Sequence, residues 1–228
     1  MATSKRLLAS DFCGVKMLIE KSNAIQKYLQ SCRTEFWQKV FQTEIDYLLR
    51  RLEGCSDVLS VGCGPAMIES ALSERGFCVT GLDISREALA CAPDTIREII
   101  GRAEDMSFRE STFDAAIFVA SMQFIEDYRK AIENTAHVLR PTGRIIVMLL
   151  NPQSVFFKEK VANPDSYVRK IKHTNLKEIE SAIAEHFHIQ TEYFMGIRDG
   201  CIIESREPGE AILYIISGQC KNSSASGG

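Results

Sequence analysis

The chain has 228 residues, 45% of them hydrophobic and 25% charged, with a formal net charge of −3. This suits one soluble α/β domain with a sizeable core and appended helices. It excludes a disordered chain and a strongly basic nucleic-acid binder, and the longest apolar run, Ile145 to Leu150, is too short to span a bilayer.

No secretory signal pattern opens the chain, and Asp11 and Glu20 argue against a transit peptide, so a cytoplasmic location is expected. The eight cysteines are Cys13, Cys32, Cys55, Cys63, Cys78, Cys91, Cys201 and Cys220, with no Cys-x-x-Cys pair among them. A metal site needs clustered ligands and a disulfide scaffold a small secreted chain, so free thiols and no metal are expected.

Residues 1–55 read as an N-terminal helical cap. One apolar stripe runs through Val15, Leu18, Ile19, Ile25 and Leu29, and a second through Val40, Phe41, Ile45, Leu48 and Leu49, with Gly54 closing the second helix. Tyr28, Phe36, Trp37 and Phe41 form an aromatic run that either lines a lid or packs on a sheet.

Residues 56–150 alternate strands, expected near 57–61, 78–82, 97–100, 114–119 and 144–150, with helices near 66–75, 85–91 and 127–139. Ser85 is placed to cap the helix it opens, and Pro141-Thr142-Gly143 to turn the chain from helix into the fifth strand. Such alternation implies a parallel sheet with helices on both faces.

Two strand ends carry the chemistry. The run Val58-Leu59-Ser60-Val61 stops at Gly62-Cys63-Gly64-Pro65, and the next stops at Gly81-Leu82-Asp83. A Gly-x-Gly turn lets backbone approach a ligand, and a lone acid at the second strand end can hold ribose hydroxyls. A dinucleotide turn wants a third glycine where this chain has Met67, so an adenosyl cofactor without a pyrophosphate fits better than NAD.

From Asn151 the pattern changes. Residues 151–174 mix aromatics, bases and prolines without clean periodicity; a helix follows near 175–187, then strands near 189–197 and 211–217. The segment 151–218 reads as the C-terminal part of the same domain with a substrate-side insertion, and 219–228 as a flexible Ser/Gly-rich tail.

The segments from 56 to 150 resemble, in order and spacing, the class I S-adenosylmethionine-dependent methyltransferases of the small-molecule type. Val58 to Pro65 looks like their motif I and Asp83 like their ribose-binding acid. Arg102 to Phe108 is similar to their adenine-lining segment, Thr112 to Val119 to their fourth strand, and Val138 to Arg144 to the turn into their fifth. The resemblance implies a seven-stranded, mostly parallel Rossmann-like sheet with helices on both faces, an antiparallel last strand and the helical cap over the crevice. It also implies S-adenosylmethionine as cofactor, S-adenosylhomocysteine as product and a small-molecule acceptor.

Carried over residue by residue, the resemblance assigns cofactor contacts to Ser60, Gly62, Cys63, Gly64, Asp83, Ile84, Ala103, Glu104, Val119 and Ala120. Substrate-side candidates are Tyr28, Trp37, Gln123, Asn151, Tyr167 and His173. His173 is a general-base candidate, since an imidazole titrates near neutrality. For a negatively charged substrate, Arg33, Lys170, Lys172 and His173 are the candidate partners, or else form a solvated face. His137 reads as structural, and His186 with His188 lacks a third metal ligand.

Two departures matter: Ser60 stands where the family has an acid, and Ala66 where it has a third glycine. They motivate an alternative, a methyltransferase-fold binding or regulatory protein without catalysis. The Asn/Asp-Pro-Pro-aromatic motif of enzymes acting on exocyclic amines of bases is absent after the fourth strand, where Val119-Ala120-Ser121-Met122 stands, so nucleic acid is not the expected substrate.

Overall fold

A computed structural model describes residues 25–164 and 166–221. The apolar positions Val15, Leu18 and Ile19, Cys13 and the end of the tail, 222–228, lie outside the described residues.

Eight strands form one sheet in the order β3-β2-β1-β4-β5-β8-β6-β7. The first five are β1 (Asp57–Val61), β2 (Cys78–Asp83), β3 (Arg97–Ile100), β4 (Phe113–Val119) and β5 (Leu139–Leu150), and they pair in parallel. β6 (Phe187–Arg198) and β8 (Ala211–Cys220) close the sheet, with β8 antiparallel to both β5 and β6. The helices are α1 (Glu35–Arg51), α2 (Met67–Ser73), α3 (Arg86–Leu89), α4 (Tyr128–Val138), α5 (Val155–Ala162) and α6 (Leu176–His186). Residues 25–32 are also helical.

Residue alternation along β5 shows why helices cover both faces. Ile145, Val147 and Leu149 join the core with Ile132, Ile179 and Ile183 of α4 and α6. Ile146, Met148 and Leu150 join the opposite core with Val40, Leu48 and Leu72 of α1 and α2. Apolar residues on both sides of one strand need cover on both sides.

The sheet has eight strands where seven were expected. The extra one, β7 (Cys201–Ile203), pairs with the end of β6 through the two-residue turn Asp199-Gly200, both at positive φ. An Asp-Gly pair between apolar runs is a strong hairpin signal. β8 runs to Cys220, paired with Phe187, so the last strand extends into the expected tail. Residues 155–162 form a helix rather than an aperiodic stretch because the Ser154 side chain accepts a hydrogen bond from the Phe157 N–H and caps it. β5 begins at Leu139, and its register to β4 jumps between Leu139 and Arg144 across Pro141-Thr142-Gly143.

At the N-terminal edge of the sheet, Asp114 ties three strands together. Its carboxylate accepts from the Ser56 and Asp57 N–H groups and from Arg140, which also reaches Asp57. The opposite, C-terminal edge carries the crevice.

Candidate cofactor crevice

A cavity of about 390 Å³ opens at the C-terminal ends of the parallel strands. Val61 and Gly62 line it from β1, Asp83 and Ile84 from β2, Arg102 to Glu104 from the turn after β3, and Ala120 and Ser121 from the turn after β4. In open parallel sheets this edge is where ligands bind.

Gly62 shows how tightly the turn is built. Its φ is +75°, and a Cβ there would lie 2.5 Å from the Ser121 Cβ. Ser121 in turn donates its hydroxyl to the Val61 carbonyl at 2.6 Å, clamping the β1 and β4 turns together. The Asp83 carboxylate accepts from the Gly64 N–H at 2.7 Å and from the Ser85 N–H at 2.8 Å. These bonds fix the acid beside the glycine turn while leaving lone pairs for vicinal hydroxyls.

The turn after β3 is pinned from α4. Asn134 donates its side-chain amide to the Ala103 carbonyl at 3.2 Å and to the Glu104 carbonyl at 2.7 Å. The Glu104 carboxylate accepts from Arg102 at 2.8 Å. Ile84 is 65% exposed and offers a flat apolar surface against which a purine can lie. Both cations on the wall, Arg102 and Lys172, are engaged by acids, Arg102 with Glu104 and Asp105 and Lys172 with Glu126. A wall whose two cations are both paired with acids, with Asp83 held by backbone N–H groups and with apolar flanks, suits an adenosyl group better than a pyrophosphate.

The remaining cofactor candidates lie just behind this wall. Val119 sits at the end of β4, paired with Met148. The Cys63 side chain turns back toward β2, where a Cβ on Gly81 would lie 2.7 Å from its sulfur. Burial pushes that thiol well above its ordinary range, and Glu69 and Asp83 add to the effect. Ser60 is buried and donates its hydroxyl to Glu69 at 2.5 Å. Ala66 adopts a left-handed φ of 59° where the family has glycine, a strained conformation for a residue with a Cβ.

The substrate-side candidates separate. Tyr167 lines the cavity and stacks on Phe124, ring centroids 6.0 Å apart, and Tyr28 lies within electrostatic reach of Tyr167. Trp37 belongs instead to an aromatic cluster with Phe36, Phe41 and Phe156.

Gln123 is fully buried and bonds only to backbone: its amide donates to the Leu150 and His173 carbonyls and its oxygen accepts from the Leu150 N–H. Asn151 likewise donates to the Pro208 and Ala211 carbonyls. Both act as loop brackets. His173 is absent from the cavity wall; its Nε2 lies 2.9 Å from the Ile125 carbonyl and its ring packs edge-on against Tyr128.

Two buried acids were not singled out from the sequence. Glu44 of α1 is 6% exposed and Glu69 of α2 is 3% exposed. Burial, with the charge of Glu69 adding, pushes the Glu44 carboxyl up to about 8. Burial raises Glu69 to about 7 against the opposing hydrogen bond from Ser60. A legible signal existed: Glu44 sits four residues from both Val40 and Leu48, on the apolar stripe itself. Among the described residues no group of three His, Cys, Asp or Glu side chains could hold a metal, and no helix is long and apolar enough to cross a membrane.

Residues 59–147 match the methyltransferase domain pattern. An O-methyltransferase of ubiquinone biosynthesis from Xylella fastidiosa is 28% identical over 135 residues, covering 55% of this chain and 54% of that protein. The chain thus spans about half the length of the curated relatives it matches first.

Among solved structures, a methyltransferase from Thermotoga maritima, described as a possible histamine N-methyltransferase, superposes with a TM-score of 0.73 at 16% identity. The match covers 88% of this chain and 97% of that one. An S-adenosylmethionine-dependent methyltransferase from Archaeoglobus fulgidus superposes at 0.61 with 14% identity, covering 82% and 100%. Such identities speak for the fold alone, and they agree with the domain match and the crevice. Residues 59–147 are a methyltransferase domain, and the sheet around them has the Rossmann-like fold of S-adenosylmethionine-dependent methyltransferases.

Proposed function

We propose that this chain transfers the methyl group of S-adenosylmethionine to a small-molecule acceptor. The observation that carries the proposal is the convergence of the glycine turn, the oriented Asp83 carboxylate and the pinned Ala103-Glu104 turn on one cavity. Asp83 takes the ribose hydroxyls, Ile84 and Ala103 flank the adenine, and the backbone from Gly62 to Gly64 borders the chain toward sulfur. Ala120 and Ser121 face the sulfonium side.

The cofactor supplies a methyl group already activated on a sulfonium, so the protein's task is alignment and exclusion of water. The Ser121 hydroxyl holds the β1 and β4 turns at a fixed separation, and Tyr167 with Phe124 walls the acceptor side. The relatives' names bring both oxygen and nitrogen acceptors into consideration. An open crevice of this size supports catalysis over the non-catalytic reading.

Calorimetric titration with S-adenosylmethionine, S-adenosylhomocysteine and NAD in parallel tests the proposal. Binding of the two adenosyl-sulfur compounds without NAD is expected. NAD binding alone, or silence toward all three, overturns it.

A further inference from the structure

The cofactor turn is built from left-handed backbone. Gly62, Gly64 and Ala66 have φ of +75°, +55° and +59°, and Ala66, which opens α2, bears a Cβ and offers no side-chain cap. Such a turn needs ties to its surroundings. On the β2 side the Leu82 carbonyl accepts from the Gly62 N–H at 2.7 Å, and the Asp83 carboxylate accepts from the Gly64 N–H.

A second tie runs beneath the turn, from the strand before it to the helix after it. Ser60 of β1 donates its hydroxyl to the Glu69 carboxyl of α2 at 2.5 Å, and both side chains are buried. The carboxyl also accepts from N–H groups in the first turn of α2, at Ile68 and Glu69. Neither Ser60 nor Glu69 lines the cavity. Burying a carboxyl costs free energy that hydrogen bonds must offset, so an apolar residue at position 69 would serve packing better. Ser60 stands where the resembled family has an acid, and Glu69 brings a carboxyl to that place from the helix.

Resting on the reading of the cavity as an S-adenosylmethionine crevice, we infer that Glu69 is a positioning residue for the cofactor. Through the Ser60 hydroxyl it fixes the turn at 62–66, and with it the Gly64 N–H on which Asp83 is set. Without this tie the turn keeps its bonds to β2 but loses its side-chain link to the start of α2. Gly64 and Asp83 then shift from the geometry that a ribose needs. Charge on Glu69 is not required, because a protonated carboxyl keeps acceptor capacity and an amide can take its place. The departure at Ser60 is a relocation of the acid from strand to helix, and it leaves the cofactor turn intact.

Calorimetric titration with S-adenosylhomocysteine, with urea denaturation alongside, tests this on wild-type protein and a set of variants. Ser60→Ala and Glu69→Met should each weaken binding by about tenfold. The double variant should bind no more weakly than Glu69→Met, because both changes break one link. Glu69→Gln, whose amide still reaches the Ser60 hydroxyl, should stay within about threefold of wild type. Leu72→Ala opens a gap on the buried face of the same helix; it should lower the denaturation midpoint and leave the affinity of the folded protein unchanged. Wild-type affinity in Ser60→Ala or Glu69→Met, or additive losses in the double variant, overturns the inference. So does a loss in Glu69→Gln or Leu72→Ala as large as that in Glu69→Met. Should Glu69→Met not fold, Ser60→Ala against Glu69→Gln carries the same comparison. Failure of S-adenosylhomocysteine to bind wild-type protein overturns the reading of the crevice instead.

Discussion

Gly62→Ala is the substitution on which the geometry of the crevice bears most directly. The residue sits at φ +75°, and the new Cβ would lie 2.5 Å from the Ser121 Cβ. A left-handed backbone costs an L-residue about 1–2 kcal/mol. Overpacking against a fixed neighbour costs about 1–3 kcal/mol more. Ser121 cannot yield freely, because its hydroxyl is bonded to Val61 of the same turn.

A loss of about 2–5 kcal/mol in urea denaturation follows. Affinity for S-adenosylhomocysteine should fall by about tenfold or more, since both residues line the cavity. Ser121→Gly removes the colliding carbon, so the double variant should recover about 1–3 kcal/mol beyond the sum of the single effects. Wild-type stability in Gly62→Ala, or strict additivity in the double variant, would refute the reasoning.

Asp83→Asn keeps the shape of the side chain but removes its charge; it should weaken S-adenosylhomocysteine binding by about 1.5–3 kcal/mol, roughly 10- to 150-fold. Calorimetry checks this, and an affinity within twofold of wild type would mean that the acid holds no ribose. Glu44 supplies a pH prediction: its folded carboxyl is raised from 4.5 to about 8, so the folded chain holds a proton that the unfolded chain has released. The contribution of Glu44 to stability is therefore fullest below pH 4.5, falls by on the order of a few kcal/mol as pH rises through the window to about 8, and is flat beyond it. Glu44→Gln should make the profile shallower, leaving the part that Glu69 carries up to about pH 7, and should exceed wild type at about pH 9 in chemical denaturation; a wild-type slope in the variant would count against a buried acid at position 44.

The turns at the C-terminal ends of the parallel strands were legible because their requirements are local. A glycine turn, an acid at a strand end and a helix cap each occupy a few consecutive residues, and Gly62, Asp83 and Ser85 take the positions their residue types predict. The acceptor half was not legible for the same physical reason in reverse. Whether Gln123 faces a substrate or a carbonyl depends on Leu150 and His173, 27 and 50 residues away. Glu44 carried a signal in its place on the apolar stripe, but its effect arises only where α1 meets Glu69 of α2 and Tyr167. β7 was missed although Asp199-Gly200 announces its turn, because three residues make too short a run to show periodicity.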